Sequence, residues 1–204
     1  EPPKVEKARP PENTVNFVPQ KKIILTFNEY IQLKDIFQEL IISPPLEEKL
    51  SAQVRGKNLV VDFPDNTVFD STTYTISFGN AITDYNEGNI LEEYTYTFSL
   101  IYYLDTMNVE GKIISAFNHQ PEEERMLVML YRDHGDSVPL LEKPSYIARS
   151  DENGIFSIHG IETGEYRIFG LKDGNLNLIY DLPSEKIAFG DSIIVLTPER
   201  FEQD

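Results

Sequence analysis

Apolar side chains recur at every second residue through much of this chain, and that period limits what it can fold into. Ile23, Leu25 and Phe27 alternate with Ile24 and Thr26, and Leu59, Val61 and Phe63 with Val60 and Asp62. Tyr74-Thr75-Ile76-Ser77-Phe78 and Tyr94-Thr95-Tyr96-Thr97-Phe98 are cleaner still, aromatic or aliphatic on one face and hydroxyl-bearing on the other. Successive side chains of a strand point to opposite faces of its sheet, so these segments read as strands packed on one side and wet on the other. Short strands broken by Pro and Gly predict a β-sandwich. Five prolines between Glu1 and Pro19 keep that stretch extended, with one edge strand expected at residues 4–9. Only residues 33–40, with Leu33, Ile36, Phe37 and Leu40 at helical spacing, predict a helix, a short connector into Pro44-Pro45.

A second set of strands is expected at residues 109–114, 126–131, 145–149, 155–159, 166–171, 186–189 and 192–196. Asn153-Gly154 lies between two of them and predicts a hairpin. The 204 residues suffice for two domains of about 100 residues each. The boundary is expected at Leu104 to Thr106, giving residues 1–104 and 105–204. Leu100-Ile101-Tyr102-Tyr103-Leu104 contains no Gly, Pro or Ser, so a rigid joint is expected, with Ile101 to Leu104 partly buried. The fold class is therefore all-β: two consecutive β-sandwich domains with at most one short helix.

Charge excludes several roles. There are 18 Lys and Arg against 34 Asp and Glu, a net charge of −16. Such a field repels phosphate backbones and anionic lipid, which argues against nucleic-acid and membrane-surface partners. No apolar run approaches the roughly 20 residues that span a bilayer. Cys is absent, which removes disulfides, thiol catalysis and zinc-thiolate sites. His119, His134 and His159 sit in different segments without a metal-ligand spacing. There is no nucleophile elbow, phosphate-cradling Gly loop or dinucleotide fingerprint. Glu47-Glu48, Glu92-Glu93 and Glu122-Glu123-Glu124 read as solvated faces. No catalytic residue is assigned. The start of the sequence lacks the apolar region of a signal peptide, so the chain reads as cytosolic or as a mature, trimmed form.

One stretch has ligand-like spacing. Asp173, Asn175, Asn177 and Asp181 occupy positions 1, 3, 5 and 9 of an EF-hand-like loop, which makes them candidate calcium ligands. Leu178 stands where that loop wants Gly, and Ser184 where it wants a bidentate Glu, so an Asx-stabilised turn is the competing reading. Asp84, Asn86, Glu87 and Asn89 read as a turn centred on Gly88. Tyr74, entering a strand after Ser71-Thr72-Thr73, is placed as a tyrosine corner whose hydroxyl ties back to upstream backbone. Tyr85, Tyr102 and Tyr103 could stack on sugar rings, with core or interface packing as the alternative.

The stretches Lys22 to Asp35, Leu40 to Pro45, Thr72 to Ile82 and Asp84 to Asn89 resemble the bacterial Ig-like domain of S-layer-protein type, in the version carried by Bacteroidota envelope lipoproteins. Val109 to Ile113, Leu127 to Tyr131, Ser150 to Phe156 and Thr163 to Ile168 resemble the carboxypeptidase-regulatory-like, or transthyretin-like, β-sandwich that often follows it. The family's lipid-attachment Cys is missing, so any anchor is expected upstream of Glu1. The resemblance implies a non-catalytic structural or interaction module of an exported protein, at the outer membrane, cell surface or periplasm, with a protein or glycan partner. A carbohydrate-binding module using surface aromatics is the alternative. Asp70-Ser71-Thr72, Asp105-Thr106-Met107, Asp136-Ser137-Val138 and Asp191-Ser192-Ile193 also resemble the O-glycosylation acceptor of Bacteroidota exported proteins.

Overall fold

A computed structural model of the chain describes residues 1–18, 22–65, 67–116, 118–122 and 124–198. Pro19 and Glu123, named above, lie outside the described residues. The chain divides into two compact units, Glu1–Leu104 and Asp105–Asp204.

The first unit runs β1 (Val5–Arg9), β2 (Lys22–Phe27), β3 (Ile31–Leu33), α1 (Ile36–Glu39), β4 (Ile41–Ser43), β5 (Ser51–Arg55), β6 (Asn58–Asp62), β7 (Thr73–Ser77), β8 (Ile82–Asp84) and β9 (Thr95–Ser99). One antiparallel sheet has the order β1-β2-β6-β5 and another β4-β7-β9, while β3 pairs with β8. Between the two larger sheets pack the alternating residues expected there. Ile23, Leu25, Phe27, Leu59 and Val61 meet Tyr74, Ile76, Tyr96 and Phe98 in one core. Each such side chain stabilises the fold by about 1.5–3 kcal/mol through its removal from water.

The proline-rich start crosses from one sheet to the other. After β1 pairs with β2, Asn13 and Phe17 donate their N–H groups to the carbonyls of Thr97 and Ser99, each at 2.8 Å. The Ser99 N–H returns to the Thr14 carbonyl at 2.9 Å, so this segment covers the edge of β9. Tyr96 donates its hydroxyl to the Pro10 carbonyl at 2.9 Å, Tyr94 donates to the Glu12 carboxylate, and the Phe17 ring lies 4.4 Å from that of Phe98.

Two expectations are corrected in this unit. The helix shrinks to the single turn of α1, because Leu33 is taken into β3 by pairing with Ile82, and Phe37 is exposed instead of facing the core. The hydroxyl face of β7 is not wet. Thr73 and Thr75 are buried because β7 is the central strand of its sheet, and the Thr75 and Thr97 hydroxyls bond each other at 3.2 Å. Strand β5, not singled out in the sequence, alternates exposed and part-buried residues and pairs with β6.

The second unit runs β10 (Met107–Lys112), β11 (Leu127–Tyr131), α2 (Val138–Leu141), β12 (Tyr146–Arg149), β13 (Ile155–Ile161), β14 (Gly164–Leu171), β15 (Ile187–Phe189) and β16 (Ile194–Leu196). β10 and β13 form one sheet; β12-β11-β14-β15 form the other, with β16 also on β14. Val109, Phe156 and Ile158 pack against Val128, Leu130, Tyr146 and Tyr166 between them. All of β11 is buried, so the outward residues Leu127, Met129 and Tyr131 are covered too. On that face the Tyr131 and Phe169 rings meet edge to face at 5.7 Å.

Asn153-Gly154 does not make a hairpin. β12 pairs with β11 and β13 with β10, so this turn carries the chain between sheets. Asp151 shapes it, accepting the N–H groups of Asn153 at 2.8 Å and Ile155 at 2.7 Å. Gly154 takes φ +75°, and a Cβ there would lie 2.5 Å from the Ile113 carbonyl oxygen. The turn's shape therefore needs this glycine. A second one-turn helix, α2, starts with Pro139 in its first turn, where a missing N–H costs nothing.

Candidate functional site

The loop from Asp173 to Glu185 gathers the candidate ligands, but the side-chain oxygens of Asp173, Asn177 and Asp181 are already hydrogen-bonded. Asp173 accepts the N–H of Asn177 at 3.2 Å on one oxygen and that of Leu178 at 2.8 Å on the other. Asp181 accepts the side-chain amides of Asn175 at 3.1 Å and Asn177 at 2.8 Å, and the Asn177 carbonyl oxygen accepts the Ile179 N–H at 2.8 Å. Both asparagines thus turn NH2 groups, not oxygens, toward Asp181. Leu178 does not oppose the turn as its side chain suggests. It adopts φ 67°, the left-handed conformation a glycine would take there, and Leu176 does the same at 60°. A non-glycine residue held so costs about 1–2 kcal/mol, offset here by the bond of its N–H to Asp173.

The residue that closes the loop was not singled out in the sequence. Glu185 is buried, and its carboxylate accepts N–H groups from Gly174 at 3.0 Å, Asp181 at 3.0 Å and Leu182 at 3.1 Å. Burial pulls its carboxyl upward, but the N–H groups of Leu182, Gly174 and Asp181 outweigh that and hold it below the usual carboxylate range. Within the loop, Tyr180 donates its N–H to the Pro139 carbonyl at 2.7 Å, tying the loop to α2. Among the described residues no three His, Cys, Asp or Glu side chains are grouped to hold a metal ion.

Asp84 does similar work in the first unit. It is buried and accepts the N–H groups of Glu87 at 2.5 Å, Asn89 at 2.8 Å and Gly88 at 3.3 Å. The Glu87 N–H does most to hold its carboxyl down at about 2, against the upward pull of burial, with the Asn89 and Gly88 N–H groups helping. Tyr74 makes the expected corner, its hydroxyl accepting the Asp70 N–H at 2.8 Å.

The histidines stay apart. His119 is exposed at φ 56°, and His134 lies beyond β11. His159 bonds the Ser157 hydroxyl at 2.9 Å on the outer face of β13. The same hydroxyl lies 3.5 Å from the Glu110 carboxylate. Of the aromatics, Tyr102 and Tyr103 are 78% and 44% exposed. Their rings meet edge to face at 4.9 Å. Tyr85 is exposed as well. No helix among the described residues is long and apolar enough to cross a membrane.

Residues 1–100 match the family model of a bacterial Ig-like domain. No curated protein matches the chain. Two crystal structures of BcpA, the major pilin subunit of Bacillus cereus, one of them a point variant, align with 97% of this chain and 67% of theirs. They are 16% and 15% identical to it, each with a TM-score of 0.28, too low for the molecules to superpose as wholes. The Ig-like match falls on the unit whose core, corner and Asp84 turn are described above.

Proposed function

We propose that the chain is a non-catalytic structural and interaction module of an exported, cell-envelope-associated bacterial protein. In this reading residues 1–104 are the Ig-like sandwich and residues 105–204 a carboxypeptidase-regulatory-like, transthyretin-like sandwich. The match of residues 1–100 to a bacterial Ig-like domain carries it. The second unit adds support through its two facing sheets. The acceptor-like residues Ser71, Thr106, Ser137 and Ser192 are all exposed, as modification by an envelope glycosylation system requires. The test is fractionation of the native host, protease shaving of intact cells, and the intact mass of the recovered protein. Recovery in the envelope, with added glycan mass, is expected. A cytosolic, unmodified protein would end this reading.

A second reading is a carbohydrate-binding module. It draws on the adjacent exposed rings of Tyr102 and Tyr103, since an exposed ring face can stack on a sugar. A glycan array that gives specific signal, lost on Tyr102→Ala and Tyr103→Ala, would favour it. A blank array would remove it.

A further inference from the structure

Strands β15 and β16 lie end to end along the outer edge of β14, and their other side has no strand partner among the described residues. The Lys186 carbonyl accepts the Lys172 N–H at 2.9 Å, and the Gly190 N–H donates to Ile168 at 3.1 Å. Backbone groups of an antiparallel strand alternate in direction, so Ile187 and Phe189 point theirs away from β14, toward solvent. Their side chains are exposed too. Ala188, Ile194 and Leu196 pack toward the core, while Ile187, Phe189 (69% exposed), Ile193 and Val195 (59%) form an unburied apolar row.

Three other edge strands are guarded. β1 exposes Glu6, Lys7 and Arg9; β5 exposes Ser51, Gln53 and Arg55; β10 exposes Asn108, Glu110 and Lys112. Polar and charged side chains of this kind are how edge strands avoid pairing with other chains. Alongside the apolar edge opens a groove of about 250 Å³, walled by Gly111, Ile113, Phe156, Gly170, Ala188 and Phe189. A strand laid along β15 would set one row of side chains into this groove and the other beside Phe189.

We propose that the β15–β16 edge takes up an extended peptide segment of a partner protein, apolar at alternate residues and flanked by Lys or Arg. Backbone pairing would give affinity and the groove would select side chains. The basic flanks follow from charge. Residues 105–204 hold nine Lys and Arg against nineteen Asp and Glu, a net −10, so a basic segment is drawn in. The same charge opposes a second copy of this chain at the edge. The proposal rests on the chain being an interaction module, but its failure would remove this edge alone; envelope location is tested separately by fractionation.

The experiment uses the full chain and a fluorescent peptide of four Val-Thr repeats with two lysines at each end. Anisotropy should report saturable binding that weakens about tenfold when the lysines become glutamates and falls as salt is raised. Backbone N-methylation at alternate residues of the peptide should abolish it. Amide exchange at Ile187 and Phe189 should slow when peptide is bound. Phe189→Lys and Ile187→Pro should each remove binding. Neither breaks a core contact or a β14 bond, and the methylated peptide tests the wild-type chain if either variant misfolds. No binding at millimolar peptide, or binding that survives methylation or Phe189→Lys, would overturn the proposal. So would sedimentation showing a dimer of the chain that Phe189→Lys dissociates, since the edge would then belong to a second copy.

Discussion

Replacing Glu185 with Gln tests whether the loop from Asp173 to Glu185 is held by one buried carboxylate. The carboxylate accepts three N–H groups, one on one oxygen and two on the other. Glutamine keeps a single oxygen. In its better orientation it serves Asp181 and Leu182, and its NH2 then faces the Gly174 N–H, donor against donor. Bonds to a charged acceptor contribute about 1.5–3 kcal/mol each, so losing one and weakening the others costs about 2 kcal/mol. In a unit of this size that is a fall in Tm of roughly 10 °C. The pH dependence has a definite sign. The folded carboxyl titrates below its ordinary 4.5, so its contribution is fully present above that value and is lost as pH falls through the lower, folded one. The gap between wild type and variant should therefore be full at pH 7 and close in acid. Urea melts across that range measure it, with amide exchange of residues 174–182 showing where the protein opens. A gap under 0.5 kcal/mol, or one unchanged from pH 7 to pH 3, would show that Glu185 does not hold the loop.

Tyr74→Phe keeps the ring stacked 5.5 Å from Phe98 but leaves the Asp70 N–H to water, and should cost about 1 kcal/mol by urea denaturation. Gly154→Ala meets both a positive φ and the Ile113 carbonyl, whereas Gly56→Ala meets only the φ of +65° in open space. The first should lower Tm well below the second, which is expected to cost about 1 kcal/mol. Calcium at Asp173, Asn175, Asn177 and Asp181 would need both asparagine amides to turn over, so millimolar calcium or chelator should leave Tm unmoved. A rise with calcium that Asp173→Ala abolishes would instead establish the site.

The strands were legible because their cores follow a period of two and their ends carry Pro and Gly. Leu25, Leu59, Tyr74 and Phe98 are buried where alternation puts them. The reading failed where the partner strand decides. Leu33 has helical spacing but pairs with Ile82, and Thr75 has a wet composition but sits mid-sheet against Thr97. Asn153-Gly154 signals a tight turn, which it makes, but turn chemistry does not say whether the flanking strands share a sheet. In the loop, oxygen spacing singled out Asp173, Asn175, Asn177 and Asp181 but left their orientation open: Asn175 and Asn177 offer a donor and an acceptor alike. Glu185 was invisible because its role depends on burial, which no local pattern encodes.

The chain's acidity takes on a second meaning from these loops. Asp84, Asp151, Asp173 and Glu185 each accept two or more backbone N–H groups in turns that no strand can satisfy. A carboxylate accepts through two oxygens and is a stronger acceptor than a neutral group, so one side chain can fix a whole turn. Asp84 and Glu185 are buried while doing so, a cost justified only because every N–H they meet would otherwise be unpaired. Part of the negative charge is therefore internal scaffolding of the connections. The remainder leaves residues 105–204 with a net charge of −10, a field that can act on the choice of partner.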